Sequence, residues 1–321
     1  MSILVTGAAG FVGSNLVREL LRQGRRIVAF DNLVRGSPAN LAAVHNHPGF
    51  VFDRVDLDDL AALTAAVAGH HRREPITEVW HLAANSDIPA GVDDPTVDLR
   101  DTFMTTFNLL RVMRELHIPS LAFASSSAIY GNWPGVQLTE ATGPCFPISN
   151  YGAMKLACEG IISAAVESHL RQAFIFRFPN VVGTPATHGV LFDFVRKLRA
   201  TPDVLPVLGD GTQQKCYLHV DDLLDAMRFI REHAQDRLNC FNIGADDDGV
   251  TVRFIAEETV AVVSPGARLE FGQGNRGWVG DVPRFELSVD KLHALGWRPR
   301  AGSAEAIRRA IRQVAAQPNL P

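Results

Sequence analysis

The chain has 321 residues, enough for one large domain or two modest ones around a substantial buried core. Hydrophobic residues make up 46% and charged residues 21%, the balance of an ordinary globular protein, and the net charge of −4 provides no basic footprint for nucleic acid. No apolar run approaches the roughly 18 residues of a membrane span, and no basic segment followed by an apolar one precedes the first strand pattern, so neither a span nor a signal peptide is expected.

The first elements alternate between two periods. Residues 3–6 read as a strand and residues 11–22 as a helix with Val12, Leu16, Leu20 and Leu21 on one face. Strand patterns follow at 26–30 and 49–54, an alanine-rich helix at 58–68, and a strand at 78–82. A long helical pattern at 99–116 precedes a strand at 120–124, and a second at 151–169 precedes a strand at 172–177. This alternation predicts an α/β fold, a doubly wound parallel sheet of the Rossmann type covered by helices on both faces.

After residue 178 the pattern changes. Gly, Pro and Thr cluster at 179–189 and 201–212 around an amphipathic helix at 191–198. A strand is predicted at 215–220, a following helix capped by Asp221 or Asp222, and a short strand at 239–244. Residues 264–286 read as loop, and 303–315 as a closing helix. The expected division is a dinucleotide-binding domain over 1–178, with segments around 215–258 returning to it, and a smaller α/β, loop-rich substrate-binding lobe over 179–321.

V-T-G-A-A-G-F-V-G at 5–13 sits where the first strand meets the first helix. Gly7 permits the tight turn, Gly10 lets backbone approach a pyrophosphate, and Gly13 lets the helix pack on the sheet. Phe11 and Val12 open that helix, whose N-terminus faces the phosphates. Asp31 ends the second strand 18 residues after Gly13, placed to accept from ribose hydroxyls and to repel a 2′-phosphate, which predicts NAD rather than NADP. Asp56 and Leu57, ending the third strand, are placed to embrace an adenine; a helix cap is the other reading of Asp56.

S-N-Y-G-A-M-K at 149–155 puts Tyr151 and Lys155 one helical turn apart, on one face. A free tyrosine has a pKa of about 10 and is a poor base at neutral pH. A neighbouring ammonium and the charge of an oxidised nicotinamide stabilise phenolate, which can then take a hydroxyl proton as hydride leaves carbon. F-A-S-S-S-A-I-Y-G at 123–131 ends another strand and offers a hydroxyl at the same sheet edge. Cys145, Cys158, Cys216 and Cys240 lack CxxC or zinc spacing, and His81, His188 and His219 are scattered, so free thiols and no metal are expected.

These motifs, with H-L-A-A at 81–84, R-F-P-N-V-V-G at 177–183, G-D-G-T-Q-Q-K at 209–215, H-V-D-D at 219–222, G-D-V-P at 280–283 and L-G-W-R-P at 295–299, run over almost the whole chain. The set resembles the extended short-chain dehydrogenase/reductase family, and within it the nucleotide-sugar 4-epimerases such as the UDP-galactose 4-epimerases. The resemblance implies Ser126 as the hydroxyl that assists Tyr151 and Lys155. It adds Asn32, Leu82, Ala83, Ala84 and Ser125 to the cofactor set, together with Tyr151 and Lys155, the latter placed to hydrogen-bond the nicotinamide ribose. Ser126, Ser127, Asn180, Lys215 and Arg276 become substrate contacts. Lys215 stands where an arginine is common, Cys216 where an aspartate is common, and Thr102 where an asparagine is common; lysine cannot make the bidentate fork of arginine.

What the resemblance implies is an NAD-dependent epimerase of a nucleoside-diphosphate sugar, a UDP-hexose by preference. C4 hydride passes to NAD, the 4-keto sugar turns over, and the hydride returns to its other face. Ser127 and Ala128 occupy the place where dehydratases carry an acidic pair, which disfavours dehydration. Dehydration, net oxidoreduction and a non-catalytic NAD-binding regulator are the rival readings. A cytoplasmic homodimer through the helices at 99–116 and 151–169 is implied as well, with no nucleic-acid or membrane partner.

Overall fold

Parallel strands that are apolar along their whole length need cover on both faces, and this requirement organises the first half of the chain. The computed structural model describes residues 1–275 and 284–317. Its main sheet has seven strands: β1 (Ser2–Thr6), β2 (Arg26–Asp31), β3 (Phe50–Arg54), β4 (Ile76–His81), β5 (Ser120–Ala124), β6 (Gln172–Arg177) and β7 (Leu238–Asn242). The order across the sheet is β7-β6-β5-β4-β1-β2-β3. From β6 to β3 every pairing is parallel. β1 and β5 are buried at every position, whereas β3, at the edge, is buried at Phe50 alone. This is the doubly wound α/β sheet read from the alternation. Its order reverses between β1 and β4, where such sheets open a ligand crevice at the strands' carboxyl ends.

Four helices do most of the covering: α1 (Phe11–Arg22), α2 (Leu60–Arg73), α3 (Thr105–Glu115) and α4 (Asn150–Ser168). Leu63 and Val67 of α2, Leu109, Val112 and Met113 of α3 and Ile162 and Val166 of α4 share one core with Leu4, Val79, Leu121 and Ile175 of the sheet.

Several boundaries differ from those expected. α2 begins at Leu60 because Asp59, not Asp56, caps it, accepting from Ala62 N at 3.0 Å. The long pattern at 99–116 is not one regular helix: its first part, Leu99–Met104, is a π-helix. Thr105 Oγ1 donates to the carbonyls of Asp101 and Thr102, and Thr106 Oγ1 to that of Thr102, so hydroxyls compete for the carbonyls of this turn. Two short helical segments, Ile88–Asp93 and Pro95–Asp98, occupy a stretch without periodicity. Asp221 and Asp222 do not cap the following helix: it begins at Val220 and both lie in its first turn.

The chain divides into two compact units. The first comprises Met1–Ile129, Cys145–Arg177 and Ile230–Phe241. The second comprises Tyr130–Pro144, Phe178–Phe229 and Asn242–Pro321. Residues 130–144 group with the second unit because Tyr130 Oη donates to Asn242, Asn242 Nδ2 donates to the carbonyls of Leu138 and Ser288, and Gln137–Leu138 pairs in parallel with Glu286–Leu287. Of the 215–258 region only residues 230–241 return to the first unit. The strand expected at 215–220 breaks at Cys216: Gln214–Lys215 pairs antiparallel with Val250–Thr251, and Tyr217–His219 pairs in parallel with Asn180–Val182. The expected loop at 264–286 contains a strand, Arg268–Phe271, parallel to Val204–Val207. Leu191, Phe194, Leu205, Tyr217, Ile255, Ile307 and Ile311 form the core of this unit.

Candidate active site

The parallel sheet brings the ends of β1, β2, β3, β4 and β5 to one edge, and the expected cofactor residues up to Ser125 lie at these ends, in the loops that follow them or in the first turn of α1. Gly7 has φ +66°, and a Cβ there would lie 2.6 Å from Ala83 N and 2.8 Å from the Leu82 carbonyl carbon. The turn therefore presses against Leu82 and Ala83 at the end of β4, and Ala84 follows them. A Cβ on Gly13 would lie 2.0 Å from Gly7 O, so the helix packs onto the turn itself. Gly10 is the N-cap of α1 and contributes no side chain to it, which leaves the amides of the first turn, at Phe11 and Val12, for an anion.

Asp31 is buried at the end of β2. Its carboxylate accepts from Ala9 N at 2.9 Å and Leu33 N at 2.8 Å, while burial pushes its pKa up. Asn32 Nδ2 reaches Asp56 Oδ2 at 3.4 Å, and Asp56 Oδ1 accepts from Asp58 N. Leu57 is buried, and its carbonyl accepts from Asn108 Nδ2 at 3.0 Å. Asp31, Asn32, Asp56 and Leu57 thus sit side by side across adjacent strand ends.

Ser149 caps α4 through Gly152 N, so Tyr151 and Lys155 stand in its first two turns. Lys155 is buried, and its Nζ donates to Ala124 O at 2.6 Å. The same ammonium lies 4.7 Å from the centre of the Phe123 ring and 5.8 Å from that of Tyr151. Tyr151 and Ser126 hydrogen-bond through their side chains, and Ser126 Oγ also accepts from Ala128 N at 3.1 Å. Ser127 opens the single helical turn Ser127–Ile129. Loss of water around the phenol raises the Tyr151 pKa to about 12, a rise opposed by the Ser126 bond and reinforced by Asp98 and Cys158. Burial lowers that of Lys155 to about 8, opposed by Cys158, Glu159 and Asp98. The structure thus brings Ser126, Tyr151 and Lys155 together at the carboxyl end of β5.

Sequence reasoning missed three buried polar residues around this set. Ser125 is fully buried, and its Oγ donates to Glu159 Oε1 at 2.5 Å. Asp98 is fully buried; one carboxyl oxygen accepts from Asn85 Nδ2 at 2.8 Å and the other has no hydrogen-bond partner among the described residues. His81 is fully buried between Thr6 Oγ1 (2.7 Å) and Thr106 Oγ1 (3.0 Å), and Cys158 Sγ lies 3.3 Å from that same Thr106 hydroxyl. The spacing of Glu159, four residues beyond Lys155, was the available signal for the first of these.

Burial, and then the charge of Lys155, lower the His81 pKa to about 3. A histidine whose folded pKa lies below its unfolded value contributes stability above the unfolded pKa, near 6.5, and loses it as pH falls toward the folded pKa. His81 is therefore expected to remove about 2 kcal/mol of stability between about pH 7.5 and about pH 5. Urea unfolding at the two pH values checks this: the difference should shrink by that amount in a His81→Asn variant.

Residues 3–244 match the sequence profile of the NAD dependent epimerase/dehydratase family. The chain belongs to that family. NAD is the family's cofactor, and the residues present fit it: a glycine cradle with no room for a Cβ, an uncapped helix N-terminus, and a buried carboxylate at the end of β2. Among similar proteins, a UDP-glucose 4-epimerase of Mycolicibacterium smegmatis is 31% identical over 97% of both chains. The crystal structure of a Thermus thermophilus UDP-glucose 4-epimerase in complex with NAD is 31% identical, with a TM-score of 0.85 over 99% of this chain and all of that one. A dTDP-glucose 4,6-dehydratase of Streptomyces griseus is 32% identical over 75% of this chain and 73% of its own.

The expected substrate contacts divide between the units. Ser126 and Ser127 belong to the first, and Asn180 and Lys215 to the second. Asn180 is opposite Tyr217, two residues beyond Lys215, so the paired strands bring these two into one neighbourhood. Arg276 lies outside the described residues. The four cysteines are free thiols. Among the described residues no cluster of metal-ligating side chains is found, and no helix is long and apolar enough to cross a membrane.

Proposed function

We propose that this family member is a nucleoside-diphosphate-sugar 4-epimerase acting on a UDP-hexose. The observation that carries the reading is the set formed by Ser126, Tyr151 and Lys155 at the carboxyl end of β5, where residues 124–128 themselves include no carboxylate. NAD, held at the glycine turn and Asp31, would supply a reversible acceptor for the hydride of the sugar's C4. Tyr151 takes the C4 hydroxyl proton and later gives it back. Lys155 supplies the positive charge that makes phenolate accessible, and Ser126 holds the hydroxyl oxygen by its own hydrogen bond. Asn180, Lys215 and Arg276 anchor the diphosphate, so the hexose is free to turn. Ser127 and Ala128 offer no acid for elimination, which favours epimerisation over the dehydration of the Streptomyces griseus relative.

Asp31 and Asn32 select NAD by receiving the adenosine ribose. The working assembly is a cytoplasmic homodimer. Leu99 and Phe107 are large apolar side chains exposed on the segment that forms the π-helix and α3, and Phe107 stacks on Phe103 with ring centres 6.3 Å apart, a surface that a second copy would cover. Free thiols suit a reducing compartment.

Incubation with UDP-glucose and NAD, followed by NMR of the sugar nucleotide, tests the function. UDP-galactose without net NADH is expected. A 4-keto-6-deoxy product would replace this reading with the dehydratase one.

A further inference from the structure

Tyr151, Lys155 and Glu159 follow one another at four-residue spacing, so they share one face of α4. Their partners are three consecutive residues at the end of β5. Tyr151 hydrogen-bonds the Ser126 side chain, Lys155 Nζ donates to Ala124 O at 2.6 Å, and Glu159 Oε1 accepts from Ser125 Oγ at 2.5 Å. The helix and the strand end are thus joined at three points. Two of these points are the proton-transfer pair; the third serves no step of the reaction.

Glu159 is 6% exposed, and a carboxylate so placed is costly unless its charge is met. Arg177, at the end of β6, meets it with a two-pronged fork: Nη2 lies 2.7 Å from Oε2, and Nε lies 3.0 Å from Oε1 and 3.2 Å from Oε2. Ser125 N in turn donates to Phe176 O at 2.8 Å. Glu159 is therefore the node where the catalytic helix, the serine segment and the neighbouring strand end meet.

We propose that Glu159, clamped by Arg177, is a positioning residue that holds Ser125, and through it Ser126, in register with Tyr151 and keeps a negative charge beside Lys155. This rests on the reading of Tyr151 and Lys155 as the proton-transfer pair. The charge matters because Lys155 is buried and must remain an ammonium to work. The groups acting on it are Glu159, Cys158 and Tyr151 from its own helix, Asp98 from the turn at Pro95–Asp98, and His81 from β4. Replacing Glu159 with glutamine removes one of the negative groups and leaves the Arg177 cation uncompensated. Both changes disfavour the ammonium.

The chain has four lysines, at 155, 197, 215 and 291, so isotope-labelled lysine side chains can be titrated individually by NMR and assigned by Lys→Arg substitution at the other three. In the unaltered protein Lys155 should titrate near pH 8. In Glu159→Gln its midpoint should fall by about one unit. With sugar present, kcat should fall by between about tenfold and about a hundredfold, with KM little changed. An unchanged Lys155 midpoint overturns the proposal, even if thermal stability drops, because a purely structural role would lower Tm and leave the titration alone. Should Glu159→Gln fail to fold, Ser125→Ala keeps the Glu159–Arg177 pair and removes only the link to the serine segment. Its kcat should fall about tenfold at unchanged KM, and an unaltered kcat overturns the proposal. The lysine titration needs neither sugar nor NAD. Inactivity of the unaltered protein on UDP-glucose would therefore count against the proposed function and not against this inference.

Discussion

Tyr151→Phe is expected to lower kcat for epimerisation about a thousandfold, with NAD content and thermal unfolding unchanged. The substitution keeps the ring whose centre lies 5.8 Å from Lys155 Nζ and removes only the hydroxyl that bonds Ser126. No apolar contact of the ring is lost, so the fold should be indifferent. The chemistry should not be. With its pKa at about 12, the phenol is protonated at neutral pH and becomes a base only when cationic groups stabilise its phenolate. Phenylalanine has no proton to exchange, and Ser126 has no base behind it to take over. Steady-state rates with UDP-glucose, together with absorbance of NAD released on denaturation, check both halves of the expectation. A variant retaining more than about a tenth of the activity would place the proton transfer on another group.

Gly13→Ala should abolish NAD binding and destabilise the protein by about 3 kcal/mol or more. The added Cβ would sit 2.0 Å from Gly7 O, 2.8 Å from Gly7 C and 2.9 Å from Ala8 Cα. All three are backbone atoms of the turn, so no side chain can swing aside; either α1 moves off the sheet or the turn deforms. Each movement spoils the place where a pyrophosphate would meet the helix N-terminus. Gly69→Ala is the control. That glycine lies inside α2 with nothing within 4 Å of an added Cβ, so the change should stabilise by roughly 0.5–1 kcal/mol. Calorimetry should move in opposite directions for the two variants, and NAD titration should show a loss in Gly13→Ala and no change in Gly69→Ala. Similar behaviour of both would mean that the close approach at Gly13 has no functional weight.

The parallel sheet was legible because its signals are local. α1 spans the same residues in sequence pattern and structure, since a glycine turn precedes it and its apolar face repeats without interruption. The helix at 303–315 extends by one residue, for the same reason. Elements shaped by distant partners were less readable. The π-helix at Leu99–Met104 follows from threonine hydroxyls bonding carbonyls, which apolar periodicity does not register. Gln137–Leu138 is a strand only because residues 286–287 lie beside it. Within the site, Gly7, Asp31, Tyr151 and Lys155 are recognisable as motif residues. Asp98, Glu159 and His81 are not, because their importance comes from burial and from partners up to 75 positions away.

The seventh strand carries a consequence for synthesis. β7 covers the edge of β6: Ala173 N donates to Arg237 O, Gln172 Nε2 to the carbonyls of Ala234 and Asp236, and Asn239 Nδ2 to the Ala173 carbonyl. These partners come more than 60 residues later in the chain. As the polypeptide leaves the ribosome, β6 can pair with β5 while its outer edge still presents unpaired amides and carbonyls. Such an edge invites pairing with another nascent chain. A fragment ending near residue 178 would keep every residue of the glycine turn and of the Ser126, Tyr151 and Lys155 set, and would still expose that edge permanently. Any transplant of the cofactor half into another protein therefore has to carry residues 230–241 with it, joined by a linker long enough to bring them back.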